Sequence, residues 1–284
     1  MSQSTVAIGA SGAVILGGTV PKLNKAFIAK LRLIDDLFMS CCFDGNVKCV
    51  ELVLRITLDM PELKVLSVKT QYELKNLRGR SIRLDIWATD GTRQFGVEIQ
   101  RDNGGAIARR ARYDSSLMDA NFTPRGAKNN ELPNHYFIMI TENDVLGKGL
   151  PVYHIDRIIR ETGESFGDGS HIVYVNGACR DDTPLGHLMH DFFCTDAKDM
   201  YYDEIAECVR YHKESEESVS KMGSVIEMFE KRAAEKAAKE AAYAERVELA
   251  KKALARGKLT DEEIAEDFGL SLHEVKALAG EKSA

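Results

Sequence analysis

Hydrophobic and polar residues alternate most regularly between Ser81 and Gln100, in the run SIRLDIWATDGTRQFGVEIQ. This alternation on both sides of Asp90 and Gly91 predicts a β-hairpin with those two residues in its turn. Side chains two residues apart share one face of a strand. We expect one face to carry Ser81, Arg83, Asp85, Trp87, Gly96, Glu98 and Gln100. We expect the other face to pack into a core through Ile82, Leu84, Ile86, Val97 and Ile99.

A two-residue turn also sets the register of the hairpin. It places Asp85 opposite Gly96 and Arg83 opposite Glu98, so that Asp85 and Glu98 become diagonal neighbours with Cα atoms about 7–8 Å apart. Two carboxylates at that spacing can hold one cation through oxygens about 2.0–2.6 Å away. The alternative is a simply solvated face, because antiparallel sheets commonly expose one side to water. Spacing alone does not choose between these two interpretations.

The hydrophobic pattern elsewhere predicts helices and strands that follow one another along the chain. We expect strands over residues 63–72, 135–141 and 171–175, with a further element over 152–159. We expect helices over residues 22–37, 46–58, 106–118 and 185–193. Asn46 is the expected N-cap of the second of these helices. This order of elements predicts an α/β fold in which a mixed sheet is flanked by helices.

The C-terminal part of the chain has a different composition. Residues 215–256 are rich in Ala, Glu and Lys and predict one long helix, either a solvated arm or a coiled-coil-like contact in a homo-oligomer. Residues 257–284 predict two short helices arranged like a helix-turn-helix. This tail has three Lys against seven Asp and Glu, a charge of −4 (3 − 7), which is unfavourable for docking on phosphate. We therefore favour packing or dimerisation for the tail over DNA recognition.

The distribution of charge along the chain indicates which kinds of partner it could bind. The net charge of −6 argues against non-specific nucleic-acid binding by the whole surface. Residues 76–128, however, carry ten Arg and Lys against six Asp and Glu, an excess of four positive charges (10 − 6). Nine of those ten residues are Arg, whose planar guanidinium suits phosphate. A solvated charged face is the alternative, but beside paired carboxylates the excess favours a polyanionic substrate.

Several classes of site and location find no support in the sequence. The six cysteines show no CxxC or Cys/His ligand spacing, which predicts free, mostly buried thiols in a reducing cytoplasm rather than a zinc site. No run of about 18 apolar residues occurs, so a membrane-spanning helix is excluded. Residues 1–21 lack the basic start of a signal peptide and are interpreted as a disordered leader. The domain expected after the leader covers residues 22–214.

Motifs of other enzyme classes are also missing. The sequence contains no GxSxG, no P-loop and no GxGxxG after a strand. His187 and His190 lie three residues apart on a predicted helix and could share a metal ion. Beside Phe192 and Phe193, packing is the favoured interpretation of both histidines.

The run GRSIRLDIWATDGTRQFGVEIQRDNGGAIARRARYDSSLMDAN resembles the catalytic core of PD-(D/E)XK nucleases. More narrowly, it resembles the Rpn-type recombination-promoting nucleases, a family often labelled as transposases. Three further blocks carry the resemblance: DDLFM at Asp35–Met39, FIMITENDVLGKGLPVYHIDRI at Phe137–Ile158, and HIVYVNG at His171–Gly177. Together the blocks extend over residues 33–230, most of the chain.

The resemblance implies a Mg²⁺-dependent DNA endonuclease associated with recombination or mobile elements, with Mn²⁺ as an alternative ion. The metal ligands that it implies are Asp85, Glu98 and the backbone carbonyl of Ile99. An acidic group from the preceding helix often joins such a site. Glu51 is the first candidate, because it falls on the apolar stripe of its helix and a buried acid is costly unless it is paired or bound to a cation. Asp36 is the competing candidate.

The third catalytic position departs from the usual pattern of the superfamily. Gln100 stands where most members have a Lys that orients the attacking water, although the Rpn-type branch tolerates Gln there. A neutral amide can position water but supplies no positive charge. Arg83, on the same predicted face, is a candidate source of that charge. The expected phosphate contacts are Arg83, Arg109, Arg110, Arg112 and Tyr113. The alternative function is a catalytically inactive protein that keeps the nuclease fold and serves nucleic-acid binding or oligomeric interaction.

Overall fold

A computed structural model describes residues 25–101 and 103–280. The predicted leader over residues 1–21 lies outside the described residues. The chain divides into two compact units, Met1–Val225 and Ile226–Ala284. No helix within the described ranges combines the length and the apolar character needed to cross a membrane.

Six strands form one mixed sheet in the first unit. They are β1 (Ser67–Leu74), β2 (Ile82–Thr89), β3 (Gln94–Gln100), β4 (His135–Thr141), β5 (Val152–Ile155) and β6 (Ser170–Asn176). Their spatial order is β1-β2-β3-β4-β6-β5. The strands β1, β2 and β3 pair antiparallel, β3, β4 and β6 pair parallel, and β5 returns antiparallel to β6. This sheet confirms the predicted α/β class.

Helices cover both faces of the sheet. In the first unit they are α1 (Lys25–Ile28), α2 (Asp36–Phe43), α3 (Val47–Leu58), α4 (Ala108–Phe122), α5 (Pro184–Phe193) and α6 (Asp203–Glu214). The larger core joins α2, α3, α5 and α6 to one face of the sheet. The smaller core joins α4 to the other face. The long helix α7 (Glu216–Arg256) begins in this unit, and the division between the units falls within it.

The first predicted helix differs from the observed structure. Residues 29–35 interrupt the expected helix over 22–37, and Asp35 bonds the Arg32 backbone N–H through Oδ2 at 2.9 Å in a tight turn before α2. The N-cap prediction for α3 is confirmed, since the Asn46 side chain accepts a hydrogen bond from the Cys49 N–H at 3.2 Å. Helix α6 was not predicted at all.

The hairpin has a longer loop than predicted. Thr89 pairs with Gln94, so residues 90–93 form the loop, and the Asp90 carboxylate accepts the backbone N–H groups of Thr92 at 2.9 Å and Arg93 at 2.6 Å. An Asp that bonds backbone two and three residues ahead stabilises a wider turn than Asp-Gly alone suggests. The register therefore shifts by two residues, and Trp87 rather than Asp85 lies opposite Gly96.

Partway along β1 and β2, the alternation of side chains between the two faces of the sheet shifts by one residue. Ile86 belongs to the larger core, whereas Ile82 and Leu84 belong to the smaller core with Trp87. The shift coincides with Gln71, whose φ of 53° lies in the left-handed region that non-glycine residues rarely adopt. The prediction that Ile82 and Leu84 share a core face with Ile86 is therefore wrong. A strict two-residue alternation does not predict the buried side chains here, because the alternation shifts in both strands at the same level.

The second unit is a small helical body. The C-terminal part of α7 packs with α8 (Asp261–Phe268) and α9 (Leu272–Gly280) around a core of Ala250, Ile264, Leu270 and Val275. Thr260 and Ser271 each form the expected capping box, with Glu263 and Glu274 respectively. The predicted long helix and the two short helices are confirmed.

Candidate active site

Asp85 lies where β2 separates from β3. The ladder between these strands ends at the pair Ile86–Val97. Beyond it, Asp85 Oδ2 accepts the backbone N–H of Ile99 at 2.8 Å, and Oδ1 lies 3.4 Å from the amide nitrogen of Gln71. The half-buried Asp85 carboxylate is thereby fixed against β3 beside Glu98. The structure thus brings Asp85 and Glu98 together, although by a different register from the one predicted.

Glu98 is almost completely buried and has an arginine partner. The residue is 4 % exposed, and its Oε2 lies 2.5 Å from Nη2 of Arg110 on α4. Burial, followed by the negative charge of Asp85, raises the pKa of Glu98 well above its ordinary value, while Arg110 opposes that rise. Burial also raises the pKa of Asp85. The two carboxylates therefore destabilise each other in their charged forms.

Arg110 is the shared partner of three side chains. Besides Glu98, it donates to Gln100 Oε1 at 2.6 Å and lies 3.3 Å from the carboxylate of buried Asp114. It also donates to the carbonyl oxygen of Gly105 at 3.1 Å. The prediction of Arg110 as a phosphate contact missed this role, since its guanidinium is engaged with the protein itself.

Gln100 occupies a tightly enclosed position at the end of β3. A Cβ atom at Gly105 would lie 2.4 Å from the Gln100 amide, so any larger residue there would displace this side chain. Arg110 holds the amide from its other side. The Gln100 amide thus lies against Gly105 and accepts a hydrogen bond from Arg110, an arrangement that suits a residue orienting water or a ligand.

Asp36, the first residue of α2, supplies a third carboxylate. Burial raises the pKa of Asp36 to about 7, and the negative charges of Asp85 and Asp35 add to that rise. Arg101 and Arg83 act in the opposite direction. The charge of Asp36 in turn contributes to the raised pKa of Glu98. Asp36, Asp85 and Glu98, which we call the acid group, come from three different elements. Their oxygens do not all lie within 4.8 Å of one another.

Glu51 has partners of its own. Its carboxylate lies 2.5 Å from Arg55 and 3.6 Å from Lys64, and it accepts the backbone N–H of Val65 at 2.8 Å. The cost of burying this acid on the apolar stripe of α3 is therefore offset by local pairing. Glu51 is thus paired within its own region, whereas Asp36 interacts electrostatically with Asp85 and Glu98.

The other predicted phosphate contacts fall into two groups, exposed arginines and a tyrosine that is bound within the protein. Arg83 is exposed, and its charge lowers the pKa of both Asp36 and Asp85, which places it within electrostatic reach of the acid group. Arg109 and Arg112 are exposed on α4. Tyr113, in contrast, donates to the Arg80 carbonyl oxygen, and its hydroxyl accepts from the amide of Asn76. Tyr113 thus ties α4 to the segment before β2.

Sequence reasoning missed a buried relay beneath α4. Ser115 Oγ lies 2.7 Å from His135 Nε2, and His135 Nδ1 lies 3.1 Å from the Asp119 carboxylate. The order of groups matches that of a serine nucleophile, its base and an orienting acid. Ser115 is only 3 % exposed and His135 only 2 %, so a substrate has no access to them. The relay holds α4, and with it Arg110, on the sheet.

His187 and His190 behave as packing residues, as expected. The His187 ring stacks on Tyr201 with centroids 3.9 Å apart, and its Nε2 lies 2.8 Å from Asp182. His190 meets the same tyrosine edge-on at 5.0 Å. The two imidazoles thus share an aromatic partner and have separate polar contacts.

Comparison of the chain with family models, with curated proteins and with solved structures finds no match.

Proposed function

We propose that this chain is a Mg²⁺-dependent DNA endonuclease of the PD-(D/E)XK type, as its resemblance to the Rpn-type nucleases implies. One observation carries the proposal: the Asp85 carboxylate is bound to the Ile99 N–H and so sits beside Glu98 where β2 and β3 separate. Asp36 adds its charge from α2. A role in recombination or in a mobile element, and assembly of copies through α7, belong to the same proposal.

The donor set fits a hard divalent cation. Asp36, Asp85 and Glu98 offer only oxygen ligands, the kind that Mg²⁺ and Mn²⁺ prefer. Without a cation, burial raises the pKa of all three acids, and the negative charge of Asp85 adds to the rise at Asp36 and Glu98. A bound divalent charge would relieve that repulsion and favour the carboxylate forms.

Each residue then has a defined task. Asp85 and Glu98 would hold Mg²⁺, with the Ile99 carbonyl and Asp36 as further oxygen donors. The ion would supply Lewis-acid polarisation of the scissile phosphate and a bound water of lowered pKa. Gln100, which lies against Gly105 and accepts a hydrogen bond from Arg110, would orient the water.

The substrate is held by positive charge outside the acid group. Arg83, Arg109 and Arg112 are exposed and would contact the DNA backbone. Of these three, Arg83 is the one whose charge lowers the pKa of Asp36. Phosphate contacts of this kind position a duplex without reading its sequence.

One contact favours the second candidate, an inactive nucleic-acid-binding or interaction protein that keeps the nuclease fold. Arg110 lies 2.5 Å from Glu98 and also holds Gln100, so a guanidinium already provides positive charge to two of the catalytic positions. In an active enzyme, Glu98 would exchange part of this contact for the metal ion.

A nicking assay tests the proposal. Supercoiled plasmid is incubated with the full chain and Mg²⁺ or Mn²⁺, and with the variants Asp85→Ala, Glu98→Ala and Asp36→Asn. We expect the first two substitutions to lower the nicking rate at least about 1,000-fold, because they remove charge stabilisation at the reacting phosphate. Glu51→Gln serves as the matched control, since Gln retains an acceptor for the Val65 N–H away from the acid group.

The outcomes separate the two candidates. Nicking that survives both Asp85→Ala and Glu98→Ala removes the acid group as the site. A wild-type chain that binds DNA in a salt-sensitive manner but never cleaves it favours the inactive protein. Loss of nicking in Glu51→Gln with retention in Asp36→Asn would restore the role first predicted for Glu51.

A further inference from the structure

We propose that Cys42, Cys208 and His212 form a second metal site, specific for a soft or borderline cation such as Zn²⁺. One ligand atom from each residue, two sulfurs and an imidazole nitrogen, lies within 4.8 Å of the other two. Tetrahedral zinc with Zn–S bonds of about 2.3 Å places its ligand atoms about 3.8 Å apart. The three ligand atoms therefore need to move only a little to bind one ion. The inference does not depend on the proposed nuclease activity.

The fold brings these residues together from distant parts of the sequence. Cys42 lies at the end of α2, whereas Cys208 and His212 lie one turn apart on α6. Residues four apart on a helix share a face, which is a common arrangement for two ligands of one metal ion. The Cys208 thiol reaches the Cys42 carbonyl oxygen at 3.1 Å, so α6 lies directly against the end of α2.

Cys49 is the candidate for a fourth ligand. It lies in the first turn of α3, and its thiol is next to the Cys208 thiol. It also donates to the Glu204 carbonyl oxygen at 3.2 Å. Rotation of Cys49 towards the other three residues would give a Cys₃His set, one of the usual compositions of structural zinc sites. We call these four residues the thiol group.

The surroundings of His212 and Cys208 support ligation. The Nδ1 of His212 lies 2.5 Å from the hydroxyl of Ser218, a completely buried serine. Metal-bound histidines typically donate their second ring nitrogen to such a partner, which fixes the orientation of the ring. Phe38 meets the His212 ring edge-on at 6.4 Å. The amide of Asn46 lies 3.4 Å from the Cys208 sulfur and can stabilise a thiolate there.

The chemistry of the donors selects the metal. Thiolate and imidazole ligands favour Zn²⁺ or Cu⁺ over Mg²⁺, and a set with all positions filled by protein is structural rather than catalytic. Binding at this position would join α2, α3 and α6 on the face of the sheet that carries the larger core. Because thiols release protons on binding, affinity for the metal should rise with pH.

Metal analysis of the 284-residue chain tests the inference. The protein is purified under reducing conditions, loaded with Zn²⁺ and dialysed, and bound metal is measured by mass spectrometry. We expect about one Zn²⁺ per chain. We expect Cys208→Ser and His212→Gln to weaken binding at least about 100-fold, and Ser218→Ala to weaken it about 10- to 100-fold. Cys41→Ser is the matched control, because Cys41 is the neighbour of Cys42 on α2 and stands outside the thiol group.

Substitution of Co²⁺ into the wild-type chain gives a measurement that does not depend on whether variants fold. Thiolate-to-cobalt charge-transfer bands with tetrahedral ligand-field intensity support the site. Their absence, or less than stoichiometric zinc after reconstitution, overturns it and leaves the thiol group as packed core. Equal zinc content in the wild type, Cys208→Ser and His212→Gln overturns it as well.

Discussion

The acid group and the thiol group are two clusters of side chains of the types that bind metal ions, and they are in opposite electrostatic states. In the acid group, neighbouring carboxylates repel one another, and arginines limit the repulsion. In the thiol group, burial raises the pKa of Cys42, and a hydrogen bond with Cys42 raises the pKa of Cys208, so both thiols stay neutral without a counter-ion. The comparison teaches that a bound cation would relieve existing charge repulsion at the first cluster but would have to displace protons at the second.

The largest effect is expected from removing the counter-ion of the acid group. Arg110→Ala leaves Glu98 and Asp114 buried without their partner, which should lower the free energy of unfolding by about 3–5 kcal/mol. Urea denaturation measures this loss. Arg109→Ala, one residue away and exposed, should change stability by no more than about 0.5 kcal/mol. Saturating Mg²⁺ should restore part of the loss in Arg110→Ala, and a variant that gains nothing from Mg²⁺ would speak against a cation at this place.

A pair of substitutions should separate the two clusters by their ions. A ligand at about 100 times its Kd stabilises a protein by about 2.7 kcal/mol. We expect Asp85→Asn to lose the Mg²⁺-dependent rise in Tm and to keep its zinc content. We expect Cys208→Ser to show the reverse pattern. Calorimetric scans with each ion provide the measurement, and a variant that loses both responses would mean that the clusters are not independent.

A smaller effect should follow from neutralising Asp36. Its pKa is raised to about 7 in the folded protein, so its contribution to stability is fully present below the unfolded value of 3.8 and is lost as pH rises through about 7. Asp36→Asn should therefore stabilise the metal-free chain by about 1–2 kcal/mol at pH values above 7, after allowance for partial exposure, and have almost no effect at acid pH. Unfolding curves at both ends of that range check the sign. Equal effects at the two ends would show that repulsion among the acids is not the cause.

The smallest effects concern the exposed arginines. Arg109→Ala and Arg112→Ala should each reduce the slope of log affinity for DNA against log salt concentration by about 1, with folding unchanged. Fluorescence titrations with duplex DNA at several salt concentrations measure the slope. Arg125→Ala, also exposed but beyond the end of α4, is the comparison variant. Unchanged slopes in the α4 variants would show that DNA binds to another surface of the protein.

Local patterns in the sequence were sufficient for most elements of the fold. Strand β4 and the long helix α7 have strong periodicity and clear ends, and they lie where the pattern predicts. The hairpin was predicted, but its register was not, because Asp90 bonds backbone groups beyond Gly91 and so widens the loop. No sequence pattern predicts the left-handed conformation of Gln71. This conformation accompanies a tertiary contact, in which the Gln71 side-chain amide donates to the Ser40 hydroxyl on α2 at 3.1 Å.

The sites were predictable only as far as neighbouring residues form them. Asp85 and Glu98 are close in sequence and were identified together. The choice of Asp36 over Glu51 depends on Arg55, one turn further along α3, which pairs with Glu51. The thiol group depends on contacts between residues more than 150 positions apart, such as Asn46 with Cys208. One sequence signal for it existed, the four-residue spacing of Cys208 and His212, but without helix α6 that spacing has no meaning.

Helix α2 belongs to both clusters at once, with Asp36 at its first residue and Cys42 at its second-last. Those positions lie about 9 Å apart along the axis of a helix that is too short to bend internally. A displacement that moved the helix as a whole at one end would also reach the other end, and so would couple the two clusters. Thermodynamic linkage then requires reciprocity: the factor by which filling one cluster changes affinity at the other equals the factor in the opposite direction.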